Sequence, residues 1–288
     1  PMSKKFEFGK QPAKGFNAPL IAGALVLVGI LIAVAVFVLT PKDRLTVDGL
    51  NTPAVAALGG GSDSLPANSL EAVEENAKFG YLPAVDLAKT ADDDLVLANA
   101  ESVQADLNLA QPLNETPTDK FLSSKIPPAK GKGDSGEQTR PGTPITFDDA
   151  MKRYGKYLVF APRVESQEVL SDVLDITEKR SDLDALIVRS TSLDVLSAAE
   201  EAGATGMFIG EVTSTTPGQL QEAGVSMVAL EAGEDSLDTD AYDSAGIRVW
   251  ASGVASEKQL KALEQDGIFG ALTTDPFAVQ PPAVKSNK

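Results

Sequence analysis

From Ala18 to Leu39 the chain runs for 22 residues without a charged side chain. A helix of that length rises roughly 33 Å, enough to cross a bilayer core of about 30 Å. A cleaved signal peptide is the rival reading and fits less well. Its apolar core runs about 7–15 residues and ends at a small-x-small site, whereas Val38-Leu39-Thr40-Pro41-Lys42 follows here. The sequence therefore predicts a basic N-terminus over 1–17, a transmembrane helix over 18–40 and a linker over 41–53. Four lysines (Lys4, Lys5, Lys10, Lys14) precede the span, and only Lys42 and Arg44 follow it closely. The positive-inside rule then puts the N-terminus in the cytoplasm and the larger C-terminal part outside a plasma membrane. Gly29 with Ala33, and Ala18 with Ala22, offer small-residue seats for a neighbouring helix.

Charge divides at the same place. The whole chain carries a formal −16. Residues 1–44 hold six basic and two acidic side chains, hence +4, which leaves −20 for the remainder. Such a balance speaks against nucleic acid as a partner, because phosphate contacts need clustered Lys and Arg. There is no histidine and no cysteine. That excludes a histidine base or metal ligand, a thiolate nucleophile, disulfides and zinc sites built on cysteine.

Beyond the linker, apolar runs alternate with helical stretches. Strands are predicted at Ala54–Leu58, Tyr81–Ala88, Asp94–Ala98, Tyr157–Ala161, Ala185–Val188, Gly206–Ile209, Ser226–Leu230, Ile247–Ala251 and Phe269–Leu272. Helices are predicted at Ser69–Lys78 with Asn68 as its cap, and at Phe147–Tyr154, Ser166–Arg180, Leu193–Ala202, Pro217–Glu222, Thr239–Ala245 and Ser256–Gln265. Gly80, Gly155, Gly203, Gly224, Gly246 and Gly267 fall where those helices stop. Strand–helix alternation of this length implies right-handed crossovers and a buried parallel sheet. About eight such steps match a (β/α)8 TIM-type barrel, with a doubly wound open sheet as the alternative. No Gly-x-Gly-x-x-Gly turn follows the first strand, so no dinucleotide site is expected. The segment 111–144 carries Pro112, Pro117, Pro127, Pro128, Pro141 and Pro144, and reads as a loop excursion rather than a packed element.

Particular motifs sharpen the fold. Val55-Ala56-Ala57-Leu58-Gly59-Gly60-Gly61-Ser62 is followed by Pro66-Ala67-Asn68-Ser69-Leu70-Glu71-Ala72. Ala84-Val85-Asp86, Thr90-Ala91-Asp92-Asp93 and Leu95-Val96-Leu97-Ala98-Asn99 come next. The C-terminal part holds Gly246-Ile247-Arg248-Val249-Trp250 and Gly267-Ile268-Phe269-Gly270-Ala271-Leu272-Thr273-Thr274-Asp275-Pro276. This arrangement resembles the glycerophosphodiester phosphodiesterase family over residues 54–277, with 278–288 as a tail. The resemblance implies a TIM barrel. In that family two histidines act on a phosphodiester and acidic residues at strand ends hold a divalent ion.

Those family residues do not carry over. Leu58 stands at the first histidine position and Gly59 at the arginine after it. Ala84 replaces the glutamate of Glu-x-Asp, leaving Asp86. Ala98 and Asn99 occupy the second histidine region. Ala161 and Arg163 replace a glutamate and a lysine. Of the Trp-Thr-Val-Asn run only Trp250 remains, and it is expected in the core. Many losses in one cluster, with the scaffold turns kept, imply a degenerate, non-catalytic barrel with no cofactor and no metal beyond a remnant at Asp86. Asp92-Asp93-Asp94 reads as a surface turn. The acidic run Glu231, Glu234, Asp235, Asp238, Asp240 and Asp243 reads as a solvated loop, or else as a docking patch for a basic partner.

The expected function is that of a membrane-anchored accessory or scaffold subunit. Its partners would be membrane proteins of a larger assembly, such as a bacterial respiratory-chain complex, met through the span and the outer domain. A basic protein, for example an electron carrier, is a possible visitor to the acidic surface. Two alternatives from other classes stand beside it. One is a metal-dependent glycerophosphodiester hydrolase with a relocated site at Asp86 or Glu101. The other is a lipid- or sugar-binding module using the old barrel mouth.

Overall fold

Side chains in the strands alternate between two apolar environments, and that alternation builds the fold. The computed structural model describes residues 45–129, 140–233 and 237–281. The transmembrane expectation for 18–40, Glu234 and Asp235 of the acidic run, and the tail 278–288 from residue 282 onward lie outside them. Among the described residues no helix is long and apolar enough to cross a membrane.

In chain order the elements are β1 (Ala54–Leu58), α1 (Leu70–Phe79), β2 (Leu82–Ala84), β3 (Leu87–Lys89), β4 (Leu95–Leu97), α2 (Val103–Asp106), α3 (Thr118–Ser123), α4 (Phe147–Tyr154), α5 (Gln167–Arg180), β5 (Ile187–Ser190), α6 (Leu193–Ala202), β6 (Thr205–Phe208), α7 (Pro217–Glu222), β7 (Met227–Glu231), α8 (Asp240–Ser244), β8 (Arg248–Ser252), α9 (Glu257–Glu264), β9 (Gly270–Thr273) and α10 (Pro276–Val279). Seven strands form a parallel sheet in the order β2-β1-β9-β8-β7-β6-β5. The extended segment 160–163 joins its two edges. Ala161 and Arg163 donate to Pro83 and Val85 on one side, while Ile187 and Arg189 donate to Phe160 and Pro162 on the other. This is the curled parallel sheet of a TIM-type barrel.

Ala56, Leu82, Val159, Ile187, Met207, Met227, Trp250 and Leu272 fill the barrel interior. Their neighbours Val188, Val228 and Val249 point outward and pack on the helices through Val73, Met151, Val173 and Leu196. Period two along each strand and 3.6 along each helix thus meet in two apolar layers. Burying a Leu or Val side chain contributes about 1.5–3 kcal/mol. The helices start where hydroxyl caps permit: Ser69, Thr146, Ser166, Ser192, Thr216 and Ser256 each accept a first-turn amide.

The structure departs from the sequence reading at several places. The expected strand Tyr157–Ala161 forms no ladder; only the segment 160–163 is extended, held by single bridges to its neighbours. The cap of α1 is Ser69 rather than Asn68. The expected strand Tyr81–Ala88 breaks after Ala84, and β3 pairs with β4 as an antiparallel hairpin outside the main sheet. The Pro-rich excursion is packed over much of its described length. Phe121 and Leu113 are buried against Ala88, Val96, Ala98 and Val103. Pro112 and Pro117 stand at the starts of helical turns and do not prevent burial, because the polar groups between them find partners. Asp92 accepts the Thr118 amide at 2.7 Å, and Asp94 accepts the Thr118 hydroxyl at 2.8 Å. The acidic turn is therefore an anchor for α3. Lys89 ties the hairpin to α5 through Glu168 at 2.6 Å and Asp172 at 2.8 Å, and these hydrogen bonds hold its ammonium well above the usual lysine range.

Candidate functional site

The C-terminal ends of the strands deliver the residues singled out from the sequence. Leu58 is in register with Ala84 on the neighbouring strand. Ala84 and Ala161 are fully buried, and with the half-buried Leu58 they belong to the interior apolar cluster. Three positions singled out from the motifs are thus core positions: the apolar filling continues to the rim. Trp250 is fully buried in the same cluster, as expected.

Above that filling lies a row of charge. Single backbone bridges set Asp86 beside Arg163, and Arg163 beside Arg189, across adjacent extended segments. Glu165 completes the row, accepting from Arg163 Nε at 2.8 Å and from the Ser190 and Thr191 hydroxyls at 3.2 and 2.7 Å. Burial pushes the Glu165 carboxyl up, but the bonds from Arg163 and Thr191 outweigh it and hold the group below the usual carboxylate range. Arg189 is only 4% exposed. Its Nε donates to Ala161 O at 2.7 Å and one terminal nitrogen to Val85 O at 3.1 Å. Burial lowers the Arg189 guanidinium to about 10, with Asp86 and Glu165 opposing the fall, so it stays charged at neutral pH. Two acids and two arginines balance one another in this row. Arg189 was missed from the sequence; its signal is one cation inside the apolar strand Ile187–Ser190.

Asp86 also meets two carboxamides. Its amide donates to Asn68 Oδ1 at 2.9 Å, and its Oδ2 lies 3.5 Å from Asn68 Nδ2 and 3.4 Å from Asn99 Nδ2. Asn99 Oδ1 in turn accepts the amides of Glu101 and Ser102. The glycine turn allows this meeting: Gly59 donates to Ala84 O and accepts from the Asn68 amide. Gly60, at φ +79°, passes so close to α1 that a Cβ there would stand 2.6 Å from Ala72 Cβ.

A cavity of about 410 Å³ opens beside Asp86. Gly59, Asn68, Asp86 and Asn99 line its polar side, and Leu97, Ala98, Val103, Phe121 and Ile126 its apolar side. Asp63 and Asp106 also reach it, and among the described residues no Lys or Arg lines it. Glu101 is exposed, outside that lining, and acts on Arg163 through its charge. The structure therefore brings Gly59, Asp86, Ala98 and Asn99 to one cavity, leaves Leu58, Ala84 and Ala161 in the interior, and sets Glu101 apart.

These residues do not fit a resident divalent ion. A hard cation needs several oxygens around it. Asp86 is flanked instead by two carboxamides that turn their NH2 groups toward its Oδ2, and by Arg163 on the next strand. Among the described residues no group of three or more carboxylates is placed to hold a metal ion.

No family model matches the sequence, and no curated protein matches it. Solved structures do. A glycerophosphodiester phosphodiesterase from Agrobacterium tumefaciens aligns with a TM-score of 0.64 at 11% identity, over 79% of this chain and 99% of that one. A phosphodiesterase from Oleispira antarctica, in complex with sn-glycerol-3-phosphate, aligns at 0.63 with 16% identity, over 79% and 95%. The glycerophosphoryl diester phosphodiesterase domain of a Mycobacterium tuberculosis protein aligns at 0.63 with 16% identity, over 80% and 98%. At these identities the likeness establishes the fold, a TIM-type barrel of the kind those phosphodiesterases have.

Proposed function

We propose that this barrel is a non-catalytic, membrane-anchored accessory subunit that binds other membrane proteins. One observation carries the reading. In a chain without histidine, positions where the resemblance calls for catalytic groups hold Leu58, Ala84 and Ala161, packed into the barrel interior. General acid–base work on a phosphodiester needs a titratable group within hydrogen-bond reach of the reacting oxygens. Of the charged groups at the mouth, Arg163 and Glu165 are engaged with one another, Arg189 with backbone carbonyls, and Asp86 with the carboxamides of Asn68 and Asn99. The uncharged run Ala18–Leu39 supplies the anchor, and the rest of the chain from residue 45, at −20, supplies a surface suited to basic partners.

Two measurements test this reading. Glycerophosphodiesters incubated with the purified chain and Ca²⁺ or Mg²⁺ should show no turnover above background. After mild detergent extraction, the chain should co-purify with other membrane proteins at fixed stoichiometry. Metal-dependent turnover that Asp86→Asn abolishes would favour the hydrolase reading instead.

The cavity beside Asp86 favours a second reading, a small-molecule module. Its carboxylates and carboxamides, with no cation beside them among the described residues, suit a neutral or cationic polar ligand with an apolar flank, and repel a phosphodiester anion. Calorimetric titration with neutral sugars and with glycerophosphodiesters separates the two, and heat from the anionic compounds alone would count against it.

A further inference from the structure

The residues just ahead of β1 do not behave as a linker. Val47 lies in no strand, yet it is 2% exposed and belongs to the interior cluster that holds Met227, Trp250 and Leu272. Leu45 and Leu50 pack against the same cluster. The segment 45–53 thus lies across the floor of the barrel, at the N-terminal ends of the strands. On one side it shares a cavity of about 600 Å³ with Phe79, Leu82 and Val159. On the other, Asp48 pairs at 2.7 Å with Arg248 at the start of β8, and Arg248 lies 4.8 Å over the Phe269 ring.

Little but apolar contact holds this segment in place. Its backbone bonds are its own: Gly49 donates to Thr46, and Leu50 to Val47. The amide of Ala54, where β1 begins, is the first to reach the sheet, donating to Phe269 O at 3.0 Å. Among the described residues, Asp48–Arg248 is the one side-chain bond from 45–53 to the strands, and the Asp48 side chain is 86% exposed. An ion pair so open to water contributes little. The seat is therefore one buried valine and two half-buried leucines.

We infer that 45–53 is a strap that opens as a unit while the barrel stays folded, uncovering the interior cluster at the floor cavity. A segment opens apart from the rest when few bonds join the two. Detaching this one breaks a single exposed ion pair and no strand pairing. At the mouth, by contrast, Leu58, Ala84 and Ala161 carry the apolar filling to the ends of the strands themselves. The strap makes the floor the end at which the interior can be reached without parting two strands.

The chain has no cysteine, so a single introduced thiol reports its own exposure. Val47→Cys reads the strap, and Val228→Cys, fully buried on β7, reads the barrel. Each full-length variant, in detergent micelles, would be treated with a water-soluble thiol reagent at rising, sub-denaturing urea. Labelling at 47 is expected to be about tenfold faster or more than at 228, with a shallow urea dependence at 47 and a steep one at 228. Adding Asp48→Ala should raise the rate at 47 about two- to fivefold, the worth of one exposed ion pair, and leave that at 228 unchanged. Leu50→Cys gives a second reading of the strap should the thiol at 47 disturb its seat. Equal rates and equal urea slopes at strap and barrel would overturn the proposal, because the strap would then open only with the whole fold. So would a thiol at 47 that reacts as fast as in urea-unfolded chain, since the strap would then never be seated.

Discussion

Asn68 holds Asp86 by both ends of its carboxamide: Oδ1 accepts the Asp86 amide at 2.9 Å, and Nδ2 faces the carboxylate at 3.5 Å. Asn68 does so from a left-handed backbone, at φ +53°, with only 6% of its surface exposed. Asn68→Ala therefore loses the hydrogen bond and keeps the strained backbone, and should cost about 1–3 kcal/mol. Asn68→Gly relieves the backbone part and should cost less. Urea denaturation of the two variants checks the order; equal losses would mean that the backbone conformation contributes nothing.

Arg189→Met removes both charge-assisted bonds to Ala161 O and Val85 O. Each such bond contributes about 1.5–3 kcal/mol, offset by relief of a desolvated charge, so a net loss of about 2–3 kcal/mol is expected. Arg189→Lys should recover less than half of it, since an ammonium lacks the planar fork that reaches two strands. Full recovery in thermal melts would show that charge alone matters at this position.

The Glu165 carboxyl has a folded pKa below its unfolded value of about 4.3. Its contribution is thus complete above that pH and is lost as pH falls through the lower folded value. Glu165→Gln should lower Tm at pH 7, and its Tm should fall less steeply than that of the parent chain below pH ~4.3. Parallel acid limbs for the two proteins would refute the assignment.

Asn76 is fully buried on α1, and neither its Oδ1 nor its Nδ2 has a partner. Replacing it with an apolar side chain of similar size removes that penalty. Asn76→Leu should stabilise the chain by about 1–2 kcal/mol, seen as a higher Tm. A fall in Tm would indicate that water satisfies the amide in solution.

Strands with buried alternation and helices closed by glycine were legible in the sequence, because each depends on local period and local stops. Leu193–Ala202 and Pro217–Glu222 begin and end where the pattern puts them. What local pattern cannot carry is pairing across distance. β3 and β4 hold three residues each, too few for a period to show whether they join the main sheet. Phe121 is buried among prolines because Thr118 finds Asp92 and Asp94 some two dozen residues earlier. At the site, the apolar character of Leu58, Ala84 and Ala161 was readable residue by residue, and the structure packs all three into the barrel interior. The row formed by Asp86, Arg163, Glu165 and Arg189 was not, since it exists only when three strand ends align.

Trp250 is the chain's one tryptophan, and it fills the barrel beside Gly270, where an added Cβ would stand 2.5 Å from the ring. Its indole nitrogen donates to Met227 Sδ at 3.1 Å across the sheet. The protein therefore carries its own optical gauge. A shift of its emission to longer wavelength, as water reaches the indole, would signal that the ring of strands has opened, with no dye or tag attached.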